Sequence, residues 1–205
     1  MTRFISLLVL CGSALVHAPA ARAQERSPHA WRVGLVADFP TFRGASRDTL
    51  EAEATSVRPG QALALGVSVA RVWAAWDATL DVSYLPSHVE AESPELLVRA
   101  RSATLERLRL APLLGRRLTG LSTGGLWLQA GPTLDFWSLD GSEDRTVVGA
   151  QGRLALRLPM GRFELENVVA YQWSPGPFRA GELPPGYARR ALRAVAVGAN
   201  LRLGL

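Results

Sequence analysis

The chain has 205 residues, enough for one ordinary domain, and its 48% apolar and 20% charged composition excludes a disordered polymer. Mean hydropathy is close to neutral, which excludes a bundle of membrane helices. The net charge is +5, every base being arginine, while a single Cys and three His exclude disulfide frameworks and His/Cys metal cages. No metal or cofactor is expected, and no Gly-rich phosphate loop or basic–aromatic stripe for nucleic acid is present.

Residues 1–23 have the pattern of a secretory signal peptide: Arg3, an apolar run from Phe4 to Val16, and the small-x-small site Ala21-Arg22-Ala23. The run is shorter than the ~20 residues of a spanning helix. Leu10 stands where lipidation at Cys11 would want a small residue. Cleavage before Gln24 removes two arginines and no acid, lowering the charge to +3, and removes the only Cys. A thiol-free mature chain, 24–205, suits an oxidising envelope compartment.

Beyond residue 23 the dominant period is two, so eight strands are expected. In chain order they are Trp31–Phe39, Ala62–Trp73, Trp76–Tyr84, Thr104–Leu114, Leu126–Trp137, Thr146–Leu158, Phe163–Trp173 and Ala191–Leu205. Trp76–Tyr84 is the clearest: Trp76, Ala78, Leu80, Val82 and Tyr84 share one face, Asp77, Thr79, Asp81 and Ser83 the other. Most are near the 9–11 residues of a tilted strand that crosses a bilayer. Long connections (Pro40–Gly60, Pro86–Ala103, Ser174–Arg190) alternate with short ones (Ala74-Ala75, Pro159–Arg162). Gly115–Gly125 and Ser138–Arg145 are read as moderate connections. Pro112 and Pro132 interrupt strands and call for bulges. Gly152 and Asn167 fall on the oily face, which suggests local slips of register.

Three features put the oily face outward. The polar face is rich in small residues such as Gly34, Gly66, Ser68, Gly131 and Gly198, as a narrow interior requires. It carries both signs of charge: Arg32, Arg107, Arg109, Arg153, Arg157 and Arg202 with Asp38, Asp77, Asp81, Asp135, Glu164 and Glu166. The oily face has aromatics near strand ends: Trp31, Phe39, Trp73, Trp76, Tyr84, Phe136, Phe163, Tyr171 and Trp173, the pattern of two interfacial girdles. Strands in lipid must close on themselves, and eight enclose only enough room for side chains. The expected fold is an all-β, closed, up-and-down antiparallel transmembrane β-barrel with its lumen plugged by an Arg–carboxylate network.

In its signal peptide, eight dyad-repeat strands and terminal strand ending flush at Leu205, the chain resembles the small eight-stranded bacterial outer-membrane β-barrels. Leu205 stands where family members usually carry an aromatic residue. The resemblance implies an outer-membrane location, insertion by the barrel assembly machinery, and contact with outer-membrane lipid and lipopolysaccharide. A monomer with a structural, adhesive or surface-interaction role is expected. In the last long connection Arg179, Arg189 and Arg190 outnumber Glu182, offering guanidinium groups to lipopolysaccharide phosphates. Two alternatives are a lipid A-modifying enzyme using Ser87, His88 and Glu90, and a soluble periplasmic lipocalin-like binder with the two faces reversed.

Overall fold

In the computed structural model the described residues are 29–48, 56–92, 97–121, 124–140, 143–179 and 187–205. They form strands and connections without a helix: β1 (His29–Asp48), β2 (Ser56–Pro59), β3 (Ala64–Trp73), β4 (Trp76–Glu92), β5 (Leu97–Leu121), β6 (Gly124–Leu139), β7 (Arg145–Met160), β8 (Phe163–Ser174) and β9 (Tyr187–Gly204). Every pairing is antiparallel between neighbours. β9 returns to β1, from Arg32↔Gly204 to Asp48↔Tyr187, and closes the sheet. The short β2 pairs with β1 and β4, the same two strands that flank β3. β2 and β3 are therefore one stave interrupted at residues 60–63, and the barrel has eight staves.

The faces sort as the period of two requires. Leu35, Val67, Leu80, Leu128, Val148, Leu154, Val169 and Val197 are exposed on the outer wall, while Arg107, Arg157, Arg202, Glu166 and Asp135 are buried inside. This overturns the soluble lipocalin-like alternative, which needs the opposite arrangement. Small lumen residues have a steric reason. A Cβ on Gly115 would lie 2.0 Å from Asp77 Oδ1 and 2.5 Å from Gln129 Cγ, so the charged layer leaves no room for a methyl group there.

Several boundaries differ from the sequence reading. The moderate connection at Gly115–Gly125 is mostly strand: β5 runs to Leu121 and β6 starts at Gly124. The connections expected at Pro40–Gly60 and Pro86–Ala103 are also largely strand, since β1 continues to Asp48, β4 to Glu92, and β5 begins at Leu97. His29, read as preceding the first strand, opens β1 opposite Trp73. These extensions lie beyond the oily belt, so their ladder needs no alternating hydrophobicity and leaves none in the sequence. The short connections at Ala74-Ala75 and Gly161-Arg162 and the Leu121↔Gly124 rung of β5 and β6 share one end with Trp31 and Leu205. Ala74 and Gly161 take left-handed φ of 51° and 67°, as tight hairpins require. The C-terminal ends of β1, β4, β6 and β8 lie at the other end.

Pro112 and Pro132 need no bulge. The β5–β6 ladder holds the same register at Leu110↔Leu134 and Leu114↔Ala130, so the two prolines stand opposite each other. The pairings between those rungs are missing because both residues that should donate across that point lack an N–H. Putting both prolines in one rung confines the loss to one point in the wall. Gly152 and Asn167 lie in unbroken pairing, Gly152↔Tyr171 and Leu156↔Asn167, and no register slips there.

Candidate functional site: the charged lumen and the loop-end rim

Inward side chains build the lumen in layers. Nearest the termini, Arg157 donates from Nε to Glu166 Oε2 at 2.5 Å and pairs with Asp77. Its guanidinium lies 4.2 Å from the Trp127 ring centroid. Arg202 Nη1 stands 2.9 Å from Glu166 Oε2, and Asn200 donates to Glu166 Oε1 at 2.7 Å. Arg32 pairs with Glu164 at 2.5 Å. In the next layer Arg153 donates from Nε to Gln129 Oε1 at 2.5 Å and pairs with Asp81, while Gln129 donates to Asp77 at 2.8 Å. Toward the loops Arg109 holds Asp135 with two parallel bonds, 2.5 Å from Nε and 2.9 Å from Nη2.

Of the twelve charged residues expected in the lumen, all but Asp38 are buried, and Asp38 lines a small internal polar cavity beside Asp81, Arg107 and Arg109. These twelve are six guanidinium groups and six carboxylates, so their formal charges sum to zero. Low-dielectric surroundings make each partner depend on the others, because a stranded buried charge costs several kcal/mol.

Above this network the lumen turns apolar. Phe42, Leu85, Leu105, Trp137, Val147 and Leu192 pack with Phe178, which the connection after β8 folds into the mouth. Arg145 donates to the Phe178 carbonyl at 2.6 Å and ties that connection down. Arg107 is buried between the two regions, 5.4 Å from the Phe42 centroid and 5.3 Å from that of Trp137. The sequence reading missed these inward aromatics; it puts Gln129 and Asn200 on the polar face but gives them no part in the network. Parity marks Trp127 and Trp137, which share a face with Gln129 and Asp135. Nothing local marks Phe178.

The nine girdle aromatics lie on the outer wall. Trp31, Trp76 and Phe163 are exposed at the terminal end, with Trp73 half-buried beside Trp76. Phe39, Tyr84, Phe136, Tyr171 and Trp173 are exposed toward the loop end. Along β8, from Phe163 to Trp173, the two levels are about 33 Å apart at ~3.3 Å per residue, or about 25 Å after a ~40° tilt, the height of a membrane belt.

Ser87, His88 and Glu90 are not arranged as a relay. His88 Nε2 is 3.0 Å from Glu90 Oε1, but the Ser87 hydroxyl donates to the Gly60 carbonyl at 2.8 Å. Arg58 Nε stands 4.0 Å from the same carboxylate, so Glu90 is buried between a base and an imidazole. At the rim Arg179 pairs with Glu143 in solvent, and Arg189 and Arg190 are exposed. Glu182 and residues 1–23, where a signal peptide is expected, lie outside the described residues.

No family model and no curated protein matches the chain. Solved structures do. The outer membrane protein AlkL, determined in lipid bilayers, superposes with a TM-score of 0.57 at 12% identity over 92% of this chain and 95% of AlkL. Neisserial surface protein A gives 0.54 at 11% identity over 86% of this chain and 97% of its own. The chain has the fold of the small eight-stranded outer-membrane barrels. OprG of Pseudomonas aeruginosa gives 0.50 at 12% identity over 85% of this barrel and 95% of OprG. Identities this low concern the fold alone.

Proposed function

We propose that this chain is an integral outer-membrane barrel, exported with removal of residues 1–23, that acts through its outer surface and loop end while its lumen stays shut. The observation that carries the reading is the pairing of an apolar outer belt, bounded by two aromatic levels, with a charge-balanced interior. An apolar outer wall of this height is stable only in lipid. The buried ion pairs below, and the apolar cluster that holds Phe178 and Trp137 above, support a shut lumen and a structural, adhesive or surface-interaction role over conduction. Extended strands at one end, with the first and last described residues, His29 and Leu205, at the other, support a loop end facing outward and a terminal end facing the periplasm. The barrel assembly machinery and outer-leaflet lipid are its proposed partners, and it works as a monomer.

Purified barrel tests this reading. It resists carbonate extraction from outer membranes, migrates faster on gels before boiling than after, and gives no steady single-channel steps in planar bilayers. Recovery in the soluble periplasmic fraction overturns the membrane reading. Regular ohmic steps overturn the sealed lumen.

A further inference from the structure

The outer wall near the loop end carries arginines that the lumen network does not use. Arg43 on β1 and Arg193 on β9 are directly opposite each other across the seam that closes the barrel, and both side chains are exposed. Residues so placed hold their Cβ atoms roughly 4.5–5.5 Å apart, where like charges repel. Among the described residues neither has an ion-pair or hydrogen-bond partner. The terminal rim differs: there Arg71 lies 5.6 Å over Trp31 and Arg116 5.6 Å over Trp76.

Two further features surround the pair. Just beyond it the ladder shifts register between Gly44 and Ser46, with Gly44 at a φ of +87°, and Ser46 then pairs with the exposed Arg189. On the membrane side the wall is apolar apart from Thr41. Trp173 is the β8 partner of Arg193, Val195 lies between Thr41 and Tyr171, and Val197 pairs with Phe39. Two unpaired cations therefore stand at the upper aromatic level, directly above an exposed apolar track.

We propose that this seam binds the phosphorylated headgroup of an outer-leaflet lipid, a phosphate bridging Arg43 and Arg193 while acyl chains lie along Phe39, Val195 and Val197. The proposal rests on the membrane reading above and adds a defined site to it. A phosphate between the two guanidinium groups replaces their repulsion with charge-assisted, two-pronged hydrogen bonds. Arg189 supplies further positive potential from the bulge.

The test uses the full barrel purified in detergent, with bisphosphorylated lipid A, the same lipid without phosphates, and inorganic phosphate as probes. Native mass spectrometry and a fluorescence titration read binding. The wild type retains bisphosphorylated lipid A, and R43Q/R193Q binds it about tenfold or more weakly. Removing the lipid's phosphates weakens wild-type binding by a similar factor. R71Q/R116Q, at the other rim, binds like the wild type. The single variants R43Q and R193Q each lose part of the binding, so the site stays testable if the double variant folds poorly. Equal binding by R43Q/R193Q, or equal binding of the phosphate-free lipid, overturns the proposal. Full competition by millimolar inorganic phosphate also overturns it, because the seam then recognises free phosphate and not a lipid. Heat-modifiable migration and conductance are read on the same samples, so a failed site is distinguishable from a failed barrel.

Discussion

Glu166 shows how much one lumen side chain holds. It faces Arg157, Arg202 and Asn200 directly and stands 3.7 Å from Arg153. Replacing it with Ala leaves Arg202 buried without a carboxylate, and the expected loss is about 3–5 kcal/mol. The exposed pair at the rim behaves differently: Glu143→Ala is expected to cost only ~0–1 kcal/mol, because solvent screens it. Urea unfolding in micelles, followed by the gel shift, measures both. The same assay tests the outer face. Leu80 is 45% exposed, midway between Trp76 and Tyr84 on β4. Leu80→Arg is expected to cost about 2–4 kcal/mol if that face meets mid-bilayer. A variant as stable as the wild type in lipid vesicles would put the oily face out of the membrane.

At the scale of the strands, the Pro112–Pro132 rung is the informative point. Either proline alone, in the interior of a sheet, would cost a ladder bond and strand a carbonyl opposite. Placed face to face, they share one gap in the β5–β6 wall. Pro132→Val restores an N–H opposite the Pro112 carbonyl and is expected to stabilise the barrel by about 0.5–1.5 kcal/mol in the urea titration. Strand existence and facing were legible from alternation alone, because lipid outside and a crowded interior impose opposite chemistry on adjacent positions. Strand ends were not. β5 runs on to Leu121, and β1 and β4 run past Pro40 and Pro86, where both faces meet solvent or loop and the period of two carries no penalty when broken.

For the whole molecule, the topology makes a prediction that labelling can read. Residues 24–205 contain no Cys, so Arg179→Cys is expected to react with a membrane-impermeant maleimide on intact cells, and Ala75→Cys only after lysis. The reverse pattern would turn the barrel upside down in the membrane. The sequence by itself determined the all-β class, the number of staves, which face is oily and which twelve charges belong to the other, since each follows from the i, i+2 rule applied locally. Only the closed tertiary structure decided which arginine meets which carboxylate, that Phe178 joins the cluster around Trp137, that the Ser87 hydroxyl bonds the Gly60 carbonyl, and that Arg43 and Arg193 meet at the seam. Those pairings join residues far apart in the chain through the registers of closure, and a periodic pattern has no memory of register beyond its own strand.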